Sequence, residues 1–182
     1  MWLINTHNGV KGKFPRIKIE DYPAVKAHLD QHWDKISKRA DKGETPYNLR
    51  NCAYLEDFYK PKIMYSEIVR SPQFYLDLKG EFYPEATTFI MTGTYLKYLY
   101  NILHSDVFTY FFKCFYAGGG LGEKGYRYKK VFFEKLPIPL MKNLPDQVLI
   151  EEADEKTNIN EYCINLFNFS TKEIEFIKAQ YQ

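Results

Sequence analysis

The sequence predicts an α+β fold: a small, mostly antiparallel sheet with packed helices and a C-terminal helical pair. Three observations point there. Short β-branched and aromatic runs cut by Ser-Pro and polar breaks fill the middle of the chain, helical three-and-four spacing stands on either side, and the last stretch opens with a capping signal. At 182 residues the chain fits one domain, or one domain with a helical appendage, and can bury a substantial core.

The elements follow in order. The first residues alternate loosely and carry polar and glycine breaks, so they read as a short strand and an extended lead-in, with Trp2-Leu3-Ile4 suggesting a start inside a longer protein. From Tyr22 to Ala40, apolar residues recur as Tyr22, Val25, Leu29, Trp33, Ile36 and Ala40, one face of a helix with Asp21 as N-cap and Pro23 just inside. His28 and His32 lie four apart on it without a third ligand nearby, which favours solvated or interfacial histidines over a metal site.

Lys62 to Val69, Gln73 to Asp77 and Thr87 to Met91 read as strands, the first two separated by Ser71-Pro72. Thr94 to His104 and Asp106 to Tyr116 are helical and apolar nearly all round, as central core helices are. Val131-Phe132-Phe133 leads into Leu136-Pro137-Ile138-Pro139, a rigid extended exit. A helix is expected from Gln147 to Phe167, and a shorter one after Ser170, where Ser170 and Glu173 form a capping box.

Composition narrows the classes. Aromatic residues make up 18% of the chain, with 16 Tyr and 14 Phe, an excess suited to cores, protein interfaces or base stacking. Cys52, Cys114 and Cys163 form no CxxC pair and leave an odd thiol, which points to a reducing, cytoplasmic setting. No apolar run is long enough for a membrane helix, and no signal pattern opens the chain. The net charge is only +2, but residues 146–182 hold eight acidic groups against three lysines, so the rest of the chain is basic and suits a polyanion.

The stretch CFYAGGGLGEKGYRYKK, from Cys114 to Lys130, is the most conspicuous motif. It is not a Walker A, because Gly125 is followed by Tyr126 where Lys and Ser or Thr are needed. Nor is it a dinucleotide fingerprint, because its glycines follow a helix instead of a strand. Its glycines allow close approach to a phosphate, and Lys113, Lys124, Arg127, Lys129, Lys130 and Lys135 outweigh Glu123 and Glu134. Tyr126 and Tyr128 alternate with the basic residues, putting rings on one side of an extended segment and charge on the other. The competing reading is a surface loop with solvated lysines.

Catalytic patterns fail. Pro145-Asp146 with Asp154-Glu155-Lys156 imitates a nuclease string, but its carboxylates fall on or beside an acidic helix where metal-binding carboxylates need to converge from strands. The cysteines sit in apolar surroundings and read as structural, and no Asn-Pro-Pro-Tyr motif for amino-methyl transfer is present.

Taken in order, Phe14-Pro15, Tyr22 to Leu29, Leu49 to Tyr54, Lys60-Pro61-Lys62-Ile63-Met64-Tyr65, Leu96 to Ser105, the glycine loop and Leu136-Pro137-Ile138-Pro139 resemble the TaqI-like C-terminal specificity domain of type IIG restriction-methyltransferases. The likeness runs over nearly the whole chain and rests on the ordered combination. It implies a target recognition domain over residues 1–145 and a helical extension over 146–182 packing on the helix at 22–40. By the same resemblance, the domain is not itself an enzyme; it reads double-stranded DNA for the methyltransferase domain of the same polypeptide. S-adenosylmethionine and a divalent metal would belong to the absent catalytic domains, with no cofactor in this part. Enzymes of this kind flip the target base out of the duplex, so the reader must hold distorted DNA.

Within that expectation, Gly119, Gly120, Lys124, Arg127, Lys129 and Lys130 are assigned to the DNA backbone. Arg50, Asn51, Lys60 and Lys62 flank a strand start and are candidate base readers, with strand-edge charge as the alternative for the two lysines. Tyr54 and Tyr65 are expected in the core or an interface. The rival functions are a protein-interaction domain and a reader like a type I specificity subunit.

Overall fold

A computed structural model describes residues 3–84, 87–116, 125–138 and 156–180. The chain divides into two compact units, Met1–Glu56 and Asp57–Gln182.

The N-terminal unit is organised by polar groups. Asn48 is buried, and its amide donates to the carbonyls of Ile17 (2.9 Å) and His7 (3.4 Å) while its side-chain oxygen accepts from the Thr45 hydroxyl at 2.7 Å. Its own carbonyl accepts from the Gly43 N–H (2.9 Å) and the Arg39 guanidinium (2.7 Å). One residue therefore ties several separate stretches, which is how a segment with few buried apolar residues keeps a defined backbone.

The single helix expected from Tyr22 to Ala40 is instead two: α1, Pro23–Asp30, and α2, Trp33–Ile36. His32, at φ −112° and ψ 16°, leaves helical geometry between them, and beyond it the Trp33 ring meets Tyr47 at 5.3 Å. Pro23 opens α1 as expected, but the cap position is Tyr22, and Asp21 lies in a preceding 3-10 turn, Ile19–Asp21. The first eighteen residues hold no named strand among those described; Val10 and Phe14 close a tight turn there.

The C-terminal unit shows the α+β class. Its sheet runs in the order β3 (Phe74–Asp77), β1 (Lys62–Ser66), β4 (Thr88–Thr92), all antiparallel. Alternation puts Ile63, Leu76 and Met91 in one row and Tyr65, Phe74 and Phe89 in the next, and both rows face the core. A two-stranded ribbon pairs β2, Ile68–Val69, with β5, Tyr126–Arg127.

Helices α3, Leu96–His104, and α4, Asp106–Phe111, cover the core, with Ile102, Val107 and Phe108 buried. Ser105 makes the corner: its hydroxyl donates to the Ile102 carbonyl at 2.8 Å and accepts from the Phe108 N–H at 3.3 Å, capping α4. A π-helical turn, Phe112–Tyr116, extends α4 and inserts Phe112 at the centre, 4.6 Å from the Tyr128 ring. Before the Leu136-Pro137 exit, α5, Lys130–Phe133, brings Phe133 to stack on Tyr65 at 5.3 Å.

The tail helices are α6, Lys156–Leu166, and α7, Thr171–Ala179. The expected seam at 145/146 and the first part of the expected helix lie outside the described residues. Within this unit the tail helices contact α3 and α4, and Ile159, Cys163 and Ile177 are buried. Asn160 seals the contact by accepting from the Asp106 N–H (2.7 Å) and donating to the Asp106 carboxylate (2.8 Å).

Candidate nucleic-acid interface

The ribbon of β2 and β5 orders the end of the glycine-rich motif. Ile68 opposes Arg127, Val69 opposes Tyr126, and the Tyr128 N–H donates to the Glu67 carbonyl at 2.7 Å. Period-two alternation then sorts the side chains. Tyr126 and Tyr128 are buried, their hydroxyls 3.2 Å apart, while Arg127 and Lys129 remain half-exposed.

The separation of rings from charge follows the sequence expectation, but the rings are not free to stack on bases. Both tyrosines belong to the core with Phe112 and Phe133, and burial raises the Tyr126 hydroxyl above its ordinary value, against the pull of its bond to Tyr128. They anchor the segment that displays the cations. Lys113 adds to this by setting its ammonium 4.9 Å from the centre of the Tyr126 ring.

Arg127 and Lys129 make no ion pair among the described residues. Lys129 lies 6.0 Å from the Phe132 ring centre, and Lys130, at the start of α5, pairs with Glu134 at 3.5 Å on the surface. Such an exposed pair is worth well under about 1 kcal/mol, so Lys130 can trade its carboxylate for a phosphate at little cost. Arg70, one residue past β2, is exposed as well and is missed by the sequence reading; the alternation Ile68-Val69-Arg70 is the signal that points to it.

The remaining candidates scatter. Gly119, Gly120 and Lys124 lie outside the described residues. Arg50 and Asn51 are exposed in the N-terminal unit, where the Asn8 amide donates to the Asn51 side-chain oxygen. Lys60 is exposed and pairs with Asp57 at 2.6 Å.

Lys62 is a correction. Its side chain is fully buried, donating to the Asp77 carboxylate and, at 2.8 Å, to the Phe58 carbonyl, so it cannot meet a base edge or serve as a strand-edge charge. Tyr65 is buried as expected, whereas Tyr54 is 56% exposed.

His28 and His32 sit edge to face at 5.4 Å, both exposed. Among the described residues no group of three or more His, Cys, Asp or Glu is arranged to hold a metal, and no helix is long and apolar enough to cross a membrane. No protein-family model matches the chain, and no curated protein matches it either.

Proposed function

We propose that the chain is a sequence-specific DNA-binding target recognition domain, a reader that presents its site to an adenine methyltransferase domain and is not itself an enzyme. One observation carries the reading: the segment from Tyr126 to Lys129 is pinned by two buried tyrosines and leaves Arg127 and Lys129 half-exposed without a carboxylate partner among the described residues. An extended segment held in this way presents charge with its backbone already ordered, which lowers the entropy cost of gripping a phosphate chain. The basic excess outside the acidic tail and the ordered resemblance to TaqI-like specificity domains support the same function. In that role the methyltransferase domain supplies S-adenosylmethionine and the chemistry, and this chain supplies position and base selection.

The test is duplex binding as a function of salt. Affinity is expected to fall steeply with rising salt. The double variant R127A/K129A is expected to bind more weakly, with a slope shallower by ~1.8 in log–log terms because two phosphates are no longer neutralised. Salt-independent binding, or no binding at low salt, sinks the reading in favour of a protein-docking domain.

A further inference from the structure

The N-terminal unit holds an open cleft of about 660 Å³ that the ribbon does not use. One wall is the turn from Val10 to Phe14, closed by the Val10 N–H donating to the Phe14 carbonyl (3.0 Å) and by the Lys13 and Phe14 N–H groups donating to the Val10 carbonyl (3.0 and 3.1 Å). Gly9 supports the stem: at φ +75°, a Cβ there would stand 2.5 Å from the Arg16 nitrogen. Gly12, at φ +78°, meets open space, so Lys11, Gly12 and Lys13 form an exposed basic tip on a braced base.

Asn51 also lines the cleft and is exposed. Asn8 fixes it, accepting from the Glu44 N–H at 2.8 Å with its oxygen and donating to the Asn51 oxygen with its amide. With its oxygen so engaged, the Asn51 side chain keeps its NH₂ as a donor.

The charges suit an anion. Lys11 makes no ion pair among the described residues, Lys13 pairs with Glu56, and Arg16 pairs with Glu44 at 3.2 Å. The Lys13 pair is exposed on both sides, so solvent screening leaves it exchangeable. A cleft for a compact metabolite encloses its ligand, whereas this one is open and has Lys11, Lys13 and Arg16 among its lining residues.

We propose that this cleft is a second nucleic-acid contact, in which Lys11 and Lys13 take phosphates of a DNA strand and Asn51 donates to the same strand. The inference rests on the DNA-binding reading but uses residues wholly apart from the ribbon. It gives the N-terminal unit a part in holding the duplex, with phosphate contacts setting its register.

The experiment is lysine acetylation of the full chain, read residue by residue by mass spectrometry, with and without a random-sequence duplex at low salt. Protection of Lys11 and Lys13 is expected. If Lys129 and Lys130 are protected while Lys11 and Lys13 react as in the free chain, the cleft proposal falls and the ribbon stands. Protection confined to Lys11 and Lys13 leaves the cleft and removes the ribbon, and no protection anywhere overturns both. The K11A/K13A variant, altered only at an exposed tip, is expected to reduce the salt slope by ~1.8, and an unchanged slope overturns the proposal.

Discussion

Lys62 and Asp77 face each other across β1 and β3 as a buried ion pair at one end of the sheet. The Asp77 carboxylate also accepts from the N–H groups of Gly80 (2.9 Å), Glu81 (3.1 Å) and Phe82 (3.0 Å), so it fixes the turn after its own strand. A charge pair removed from water in this way is tolerated only because each atom has partners, and removing one partner strands the other. Lys62→Met and Asp77→Ala are therefore each expected to destabilise the C-terminal unit by about 3–5 kcal/mol in denaturant titration.

The same pair sets an acid limit. Burial alone would raise the Asp77 carboxyl, but the bond from Lys62 and the N–H groups of Phe82 and Glu81 overcome it and hold the group at about 2. Because the folded value lies below the unfolded one, this stabilisation is complete above the ordinary aspartate value near 4 and is lost as pH falls towards about 2. Wild type is expected to lose stability in that window more steeply than Asp77→Asn, by thermal melts across the acid range.

Gly80 lies in the turn that Asp77 organises. Its φ is +70°, and a Cβ would fall 2.2 Å from the Tyr59 carbonyl oxygen, a backbone atom that cannot swing aside. Gly80→Ala combines the left-handed penalty with a backbone clash and should cost well over about 1 kcal/mol, whereas Gly12→Ala meets only the conformational term. Comparing the two melting curves separates the effects.

The cysteines should differ sharply towards an alkylating reagent. Burial pushes the Cys163 thiol up to about 11, against a smaller opposing effect of its bond to Ser105, so almost no thiolate exists at neutral pH. Cys114 is exposed. Native-state labelling is expected at Cys114 first and at Cys163 only with unfolding; early modification of Cys163 would show that α6 opens from α3.

The capping box of α7 is complete: the Glu173 N–H donates to the Ser170 hydroxyl oxygen, and the Ser170 N–H donates to the Glu173 carboxylate at 2.8 Å. Ser170→Ala should cost about 1 kcal/mol. Faster amide exchange in the first turn of α7, with the sheet amides unchanged, is the expected signature.

What can be read in advance is whatever depends on neighbours in sequence. The capping box, the strands at Lys62 and Phe74, and the Ser105 corner all rest on local spacing. What cannot be read depends on distant partners. Lys62 looks like an edge charge until Asp77, fifteen residues away, is brought opposite it. Tyr126 and Tyr128 look like stacking platforms until Phe112 and Phe133 close around them. The basic tip at Lys11 to Lys13 escapes notice because a five-residue turn has no hydrophobic period to announce it.

The alternation from Tyr126 to Lys129 also acts as a reading frame. A single-residue insertion between Tyr126 and Tyr128 would drive a cation into the core, so Tyr126 fixes which of the following side chains turn inward.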